Sequence, residues 1–230
     1  MRVVVPFAAE TPKTRLESVL TPAERSAFAR AMLADVLRAV VEAGHEPTVV
    51  STAPLDLAGL ELPGEVAASA SVTADDRPLT EAVNARLPGG DAETTTDEPA
   101  PVAVVMADLA LATPDALERL LTSTADVAVA PGRGSGTNAL VVRHPEFRVD
   151  YHGTSYLDHR ETAREIGATL ETVDSFRLAT DVDEPADLVE VIVHGRESNR
   201  APACLREFGF ALDERDGRVD IVRNEDCAAE

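Results

Sequence analysis

Val102-Ala103-Val104-Val105-Met106-Ala107-Asp108-Leu109 is an apolar run that closes on a carboxylate. Residues 102–106 show no polar alternation. A strand of this kind is buried on both faces, as in a parallel sheet covered by helices. Working outward, residues 2–6 form a β-branched run ending at a proline, and residues 47–51, 127–130, 139–142 and 169–173 read as further strands. Residues 66–72 read as a weaker one. Between them lie helical patterns. Thr21 with Pro22 and Glu24 is a capping box, followed by Phe28, Met32, Val36 and Val40 at i, i+4 spacing and closed by Gly44. Residues 78–87, 155–166 and 185–194 read as helices, as does the segment from Thr113-Pro114 to Leu121. Residues 7–20 and 88–101 read as loops, and 218–222 pairs in a hairpin across Asp216-Gly217. Strand–helix alternation argues an α/β fold, three layers around a mostly parallel sheet. Ligands of such sheets sit outside the carboxyl ends of the strands. That places the site in the segments after Pro6, Met106, Ala130 and Thr180.

Charge narrows the function classes. Forty-one acidic residues against twenty-one basic ones give a formal net charge of −20. Such a field repels nucleic acids and anionic membranes, and the sequence has no basic patch to offset it. No apolar run reaches the ~18 residues of a membrane span, and residues 1–6 are too short an apolar run for a signal peptide. The expectation is a cytoplasmic globular chain with no nucleic-acid or membrane partner. Lys13 is the one lysine, against twenty arginines. An acidic, lysine-poor, alanine-rich chain suits a salt-rich cytoplasm, where the Debye length falls to ~3 Å at 1 M. Cys204 and Cys227 are too few for a disulfide framework, and His45, His144, His152, His159 and His194 show no metal-ligand spacing.

Four segments carry candidate chemistry. Pro12-Lys13-Thr14-Arg15 sets a point-charge phosphate ligand two residues from a guanidinium fork, or is a solvated pair. Pro131-Gly132-Arg133-Gly134-Ser135-Gly136-Thr137-Asn138 has glycine at every second position. Its backbone N–H groups can turn to an anion, with Thr137 and Asn138 adding side-chain bonds. It matches neither a Walker A loop nor a dinucleotide fingerprint, and a plain hairpin loop is the alternative. Asp108 ends the central strand, and Asp181-Val182-Asp183 projects two carboxylates to one face if extended. Together they suit Mg²⁺, although Asp183-Glu184-Pro185 also reads as a helix start. Tyr151-His152-Gly153-Thr154-Ser155 precedes a helix whose N-terminus can hold an anion, or Ser155 simply caps it. There is no nucleophile elbow and no Cys–His pairing. A cation and anion-hole inventory without a nucleophile fits phosphoryl or nucleotidyl transfer.

These stretches together resemble the 2-phospho-L-lactate guanylyltransferases of coenzyme F-420 biosynthesis. The resemblance is carried by Val3-Val4-Val5-Pro6-Phe7, Pro12-Lys13-Thr14-Arg15-Leu16, Met106-Ala107-Asp108-Leu109, the glycine loop through Leu140, and Asp174 through Pro185. It runs over residues 1–194 and implies a nucleotidyltransferase domain of the GT-A, Rossmann-like kind with a mixed, mostly parallel sheet. Residues 195–230 fall outside it as a C-terminal appendage packed on the same domain. The resemblance implies a homodimer acting on GTP and 2-phospho-L-lactate, with phosphoenolpyruvate or another phosphorylated acid as alternative acceptor. A non-catalytic nucleotide-binding module is the reading outside enzymes. By family pattern Asp108, Asp181 and Asp183 bind Mg²⁺, and Thr137, Gly153 and Ser155 hold the acid. The same family pattern has Lys13 and Arg15 meet the triphosphate, and the residue reading adds Arg133, Gly134 and Asn138 to the substrate set. Many relatives carry a lysine where this chain has Ala8, which leaves Arg2 or Arg15 to supply that charge. The region Pro78-Leu79-Thr80-Glu81 resembles a base-contacting part, with Thr80 where relatives commonly have Asn.

Overall fold

A computed structural model of the chain describes residues 1–10, 12–90, 100–215 and 217–224. Nine strands and eight α-helices follow in order among these residues. They are β1 (Arg2–Phe7), α1 (Pro22–Glu42), β2 (Glu46–Ser51), α2 (Gly64–Ser69), β3 (Ser71–Ala74) and α3 (Leu79–Asn84). Next come β4 (Val102–Val105), α4 (Pro114–Leu121), β5 (Val127–Pro131), β6 (Thr137–Val142), α5 (Ser155–Glu165) and β7 (Leu170–Thr172). The chain continues with α6 (Phe176–Ala179), α7 (Asp187–His194), α8 (Arg200–Glu207), β8 (Phe210–Arg215) and β9 (Arg218–Arg223).

Seven strands form one sheet in the order β3-β2-β1-β4-β6-β5-β7, and β6 alone runs antiparallel to its neighbours. The three-layer expectation is met by the pleat itself. Val3, Val5, Ala103 and Val105 face one core with α1, α4 and α8, whereas Val4, Val102 and Val104 face a second with α3 and α5. Successive strand residues point to opposite faces, so one apolar run feeds both cores. The chain builds outward from β1 through β2 to β3, then crosses back to β4 on the other side of β1. This reversal opens a crevice at the carboxyl ends of β1 and β4.

The capping box forms as read: Thr21 Oγ1 accepts from the Glu24 N–H, and Glu24 accepts from the Thr21 N–H at 2.8 Å. Residues 66–72 are not one strand. Residues 64–69 are helical, and only Ser71–Ala74 joins the sheet edge. Val66 is the buried residue of that turn, and its alanines favour helix once tertiary contact fixes the face. The helix expected from residue 185 begins at Asp187 with no side-chain cap, so Asp183 does not serve as a helix start. Ser155 is the first residue of α5, with Thr154 before it as the cap position.

Residues beyond 194 fold back onto the larger core. Ala201 and Leu205 of α8 are fully buried with Phe28 and Met32 of α1. Their anchor is Asp35, buried on α1, which accepts from the Arg200 and Ala201 N–H groups at 2.8 Å each and from Arg38 at 3.0 Å. β8 and β9 form a separate two-stranded sheet, Arg215 opposite Arg218. Cys204 is a free buried thiol, whereas Cys227, Asp216 and most of the loop read at 88–101 lie outside the described residues. No helix among the described residues is long and apolar enough to cross a membrane.

Candidate active site at the strand ends

Lys13 lies in the loop after β1, with a left-handed backbone at φ 55°. Its ammonium is nearly buried and bridges two carboxylates, Asp108 Oδ2 at 2.7 Å and Asp183 Oδ1 at 2.8 Å. Burial opposes its charge, but Asp108 and Asp183 outweigh that and hold its pKa above the ordinary lysine value. Arg15, largely exposed, reaches the other oxygen of Asp183 at 3.2 Å. The scarce lysine of the sequence is therefore the hub of the crevice.

The backbone fixes this geometry. The Met106 N–H donates to the Asn138 carbonyl, and the Val182 N–H donates to the Asp108 carbonyl. Those two bonds draw β4, β6 and the 181–183 segment together. Asn138 Nδ2 donates to the Leu178 carbonyl at 2.9 Å and to Asp181 Oδ1 at 3.1 Å. Burial raises the Asp181 carboxyl above the usual range. The Asn138 bond works against that rise, and the charges of Asp108 and Asp183 add to it.

Several expected ligands have other duties. Asn138 serves Asp181 and the backbone. A Cβ on Gly132 would come within 2.6 Å of Asn138 Oδ1, so glycine there makes room for the amide. Arg133 turns its guanidinium to Asp187, whose other oxygen accepts from the Asp183 and Glu184 N–H groups at 3.0 and 2.8 Å. Arg133 thus braces the acidic turn from behind. Gly134 has open space around its α-carbon. Arg2 begins β1, at the end away from Lys13, and donates to the Arg86 carbonyl. Of the two guanidinium groups offered in place of a lysine at Ala8, only Arg15 reaches the site.

Thr137, Gly153 and Ser155 gather on the β6 side. Thr137 and Ser155 are buried, and Gly153 has φ +57° with open space. The first turn of α5 is tied to the glycine loop by the Tyr156 N–H donating to the Ser135 carbonyl. His159, one turn on, bonds Thr137 Oγ1 at 2.9 Å.

On the β1 side lies a cavity of about 460 Å³, within the range of small-molecule sites. Lys13, Arg15, Asp108 and Asp183 line it together with Asp75, Arg77 and Leu79. Asp75 is gripped by Arg77 through both oxygens and by Arg86, which holds its carboxyl far below the ordinary range. The sequence reading missed Asp75 and Arg77 and pointed to residues 78–81. Thr80 is turned away, its hydroxyl accepting from the Tyr151 N–H at 3.2 Å.

A metal was expected on Asp108, Asp181 and Asp183. All three lie at one end of the sheet, but among the described residues no group of three or more His, Cys, Asp or Glu is arranged to hold an ion. Lys13 lies between two of them, and Asp181 is turned to Asn138. Asp108 Oδ1 is buried without a hydrogen-bond partner among the described residues. An oxygen-rich site with one orphaned carboxylate oxygen fits a hard cation held by one or two carboxylates and completed by phosphate oxygens.

The family model described as guanylyl transferase, CofC like, matches residues 1–223. The chain belongs to this family. The match continues through α8 and the hairpin, past residue 194. A 2-phospho-L-lactate guanylyltransferase of Haloterrigena turkmenica is 73% identical over 230 residues, covering 98% of each chain. One of Natrialba magadii is 61% identical over 242 residues, covering 97% of this chain and 99% of its own. Among solved structures, a candidate nucleotide-diphospho-sugar transferase from Desulfovibrio desulfuricans G20 superposes with a TM-score of 0.69 at 18% identity, covering 90% of this chain and 94% of that one. A Methanothermobacter nucleotidyl transferase gives 0.52 at 15%, covering 83% and 94%. The family and these folds agree on an α/β nucleotidyltransferase.

Proposed function

We propose that the chain joins GTP and 2-phospho-L-lactate to give lactyl-2-diphospho-5′-guanosine and pyrophosphate. The observation that carries this reading is the Lys13–Asp108–Asp183 cluster at the crevice between β1 and β4. The cluster lines a cavity of about 460 Å³ on the β1 side, and Thr137 and Ser155 lie buried on β6 and at the start of α5. The names of the similar halophile proteins supply the acceptor and the base.

In this reading a phosphate oxygen of the acid attacks the α-phosphorus of GTP. The bond from that phosphorus to the β-phosphate oxygen breaks, and pyrophosphate leaves. The attacking oxygen is already ionised near neutral pH, so the reaction needs no general base. Lys13 and Arg15 meet the triphosphate, while Thr137, Ser155 and the backbone at Gly153 hold the acid. Mg²⁺ would be held by Asp108 with Asp181 or Asp183, and when bound it offsets charge on the α-phosphate and the leaving group. Three carboxylates facing an incoming polyanion need that cation, since Lys13 and Arg15 alone leave the site short of positive charge.

The test is pyrophosphate release in high KCl with Mg²⁺, GTP and 2-phospho-L-lactate, with phosphoenolpyruvate in parallel. Release that needs GTP and 2-phospholactate supports the reading. Release with phosphoenolpyruvate alone reassigns the acceptor. No release with either acid, from folded protein, removes the proposal.

A further inference from the structure

His159 has no part in the proposed chemistry, yet it is the fully buried histidine of the chain. It sits on α5, four residues after Ser155. Its Nε2 lies 3.0 Å from the backbone nitrogen of Asp150. A backbone N–H can only donate, so Nε2 must carry a lone pair. A neutral imidazole has one N–H, which therefore resides on Nδ1. That N–H faces Thr137 Oγ1 at 2.9 Å and donates to it. The ring is walled edge-on by Phe147 and Tyr151, with centroids 5.9 and 5.6 Å away. Both nitrogens and both flanks are thus committed. Burial holds the ring neutral, dropping its pKa to about 4 against the pull of the Asp158 and Asp150 carboxylates.

This chain has a direction. The Asp150 N–H donates to Nε2, Nδ1–H donates to Oγ1, and the hydroxyl proton of Thr137 is left to donate outward. A phosphate oxygen only accepts. We propose that His159 is a positioning residue for the phosphorylated acid: it fixes the Thr137 hydroxyl as a hydrogen-bond donor to the acid's phosphate. The inference rests on the reading of Thr137 as part of the acid subsite and deepens it.

Two amide substitutions separate the two bonds of the ring. H159N can keep a donor where Nδ1 stood and loses the partner of Asp150. H159Q can keep an acceptor for the Asp150 N–H and loses the donor to Thr137. With pyrophosphate release as the assay and folding checked by melting in the same KCl, H159Q is expected to raise the KM for 2-phospho-L-lactate about tenfold or more, as for a lost hydrogen bond to a charged group. The KM for GTP stays unchanged, and H159N stays within about threefold of wild type on the acid. T137V is expected to weaken the acid at least as much, and T137V/H159Q to be no worse than T137V, because the histidine acts through that hydroxyl. Should H159Q fail to fold, H159F refills the aromatic cluster without a donor and carries the same expectation. A T137V with unchanged acid KM overturns the subsite reading. A T137V that loses acid affinity beside an H159Q or H159F that keeps it overturns the role of His159 alone. Equal losses for GTP and acid, or additive losses in the double variant, also overturn it.

Discussion

Lys13 concentrates the physics of the site in one residue. A side chain with a Cβ held at φ 55° costs about 1–3 kcal/mol, and such strain persists only where the surroundings over-determine it. Here the two carboxylates on its ammonium do so. Replacing it with Met removes the cation and leaves Asp108 and Asp183 facing each other. The expected result is a fall in kcat/KM of about 100-fold or more, in line with losing one electrostatic donor to a developing charge. K13R does not restore it, because a planar fork cannot sit as a point charge between two carboxylates. Asp181→Asn is expected to cost about 100–1,000-fold in kcat with little change in melting temperature, on the same electrostatic ground. Full activity in that variant removes Asp181 from the site. G132A tests the support behind it. Its new Cβ would press on Asn138 Oδ1 and displace the amide that orients Asp181. Activity is expected to fall about tenfold or more, and a G132A enzyme with wild-type turnover ends the claim that Asn138 places Asp181. Lys13 stood out in the sequence by its rarity and Asp108 by its place after a central strand, whereas Asp183 stood out only as one of the pair with Asp181, since the segment carrying it follows α6 and not a strand. The duties of Asn138, Arg133 and His159 were not legible, since each depends on a partner that only folding brings near. Asn138 meets the Leu178 carbonyl forty residues away, and Arg133 meets Asp187 fifty-four away.

At the scale of elements, Asp35 decides how α8 closes onto the larger core. It joins α1 to the first turn of α8 by two backbone bonds and an arginine. Asp35→Ala leaves two N–H groups at the start of α8 unanswered and takes the buried carboxylate from Arg38, which keeps Ser198 and Asn199, and is expected to destabilise the protein by about 3 kcal/mol. Denaturant melts in high KCl read this directly, with α8 loosening first by hydrogen exchange. The same residue sets a pH signature. Burial raises its carboxyl from 3.8 to about 6 in the folded chain, against the pull of its hydrogen-bond donors. The folded state then binds more protons than the unfolded one between those values. Its contribution is greatest below pH ~4 and falls by about 3 kcal/mol as pH rises through ~6. Compared with D35N, the wild type should lose stability across that window. A wild type that gains stability there shows that the donors win over burial. Helix starts and central strands were legible because caps and apolar runs are local. Residues 66–72 were misread because Val-Ala-Ala-Ser-Ala-Ser-Val fits a period of two as well as a turn of helix. The hairpin was legible from its Asp216-Gly217 turn, and β8 and β9 pair around it, whereas α8 was unassigned until Ala201 and Leu205 were placed in the core with α1.

For the whole molecule, the interior and the surface solve separate problems. The core is packed from valine, leucine and alanine, with Phe28 and Phe147 as its largest fully buried side chains. The surface carries the acidic excess behind a net charge of −20. Arginine pairs relieve part of it, as Arg164 does with Glu161 and Arg200 with Glu61, but exposed pairs contribute little each. The remaining self-repulsion opposes the compact state and is long-ranged at low salt. Raising the ionic strength from 0.1 to 1 M shortens the Debye length from ~10 to ~3 Å, below the spacing of most surface charges. The melting temperature should therefore rise with KCl. If screening returns about 3 kcal/mol, the rise is about 6–12 °C for a chain of this size. The crevice behaves differently, because Lys13, Asp108 and Asp183 are at contact distance and partly buried, where ions screen weakly. Tm measured from 0.1 to 3 M KCl should climb and level off, while the KM for GTP, measured on protein folded at each salt, changes far less than the stability does. A melting temperature that stays flat across that range refutes the account of the acidic surface and leaves the site untouched.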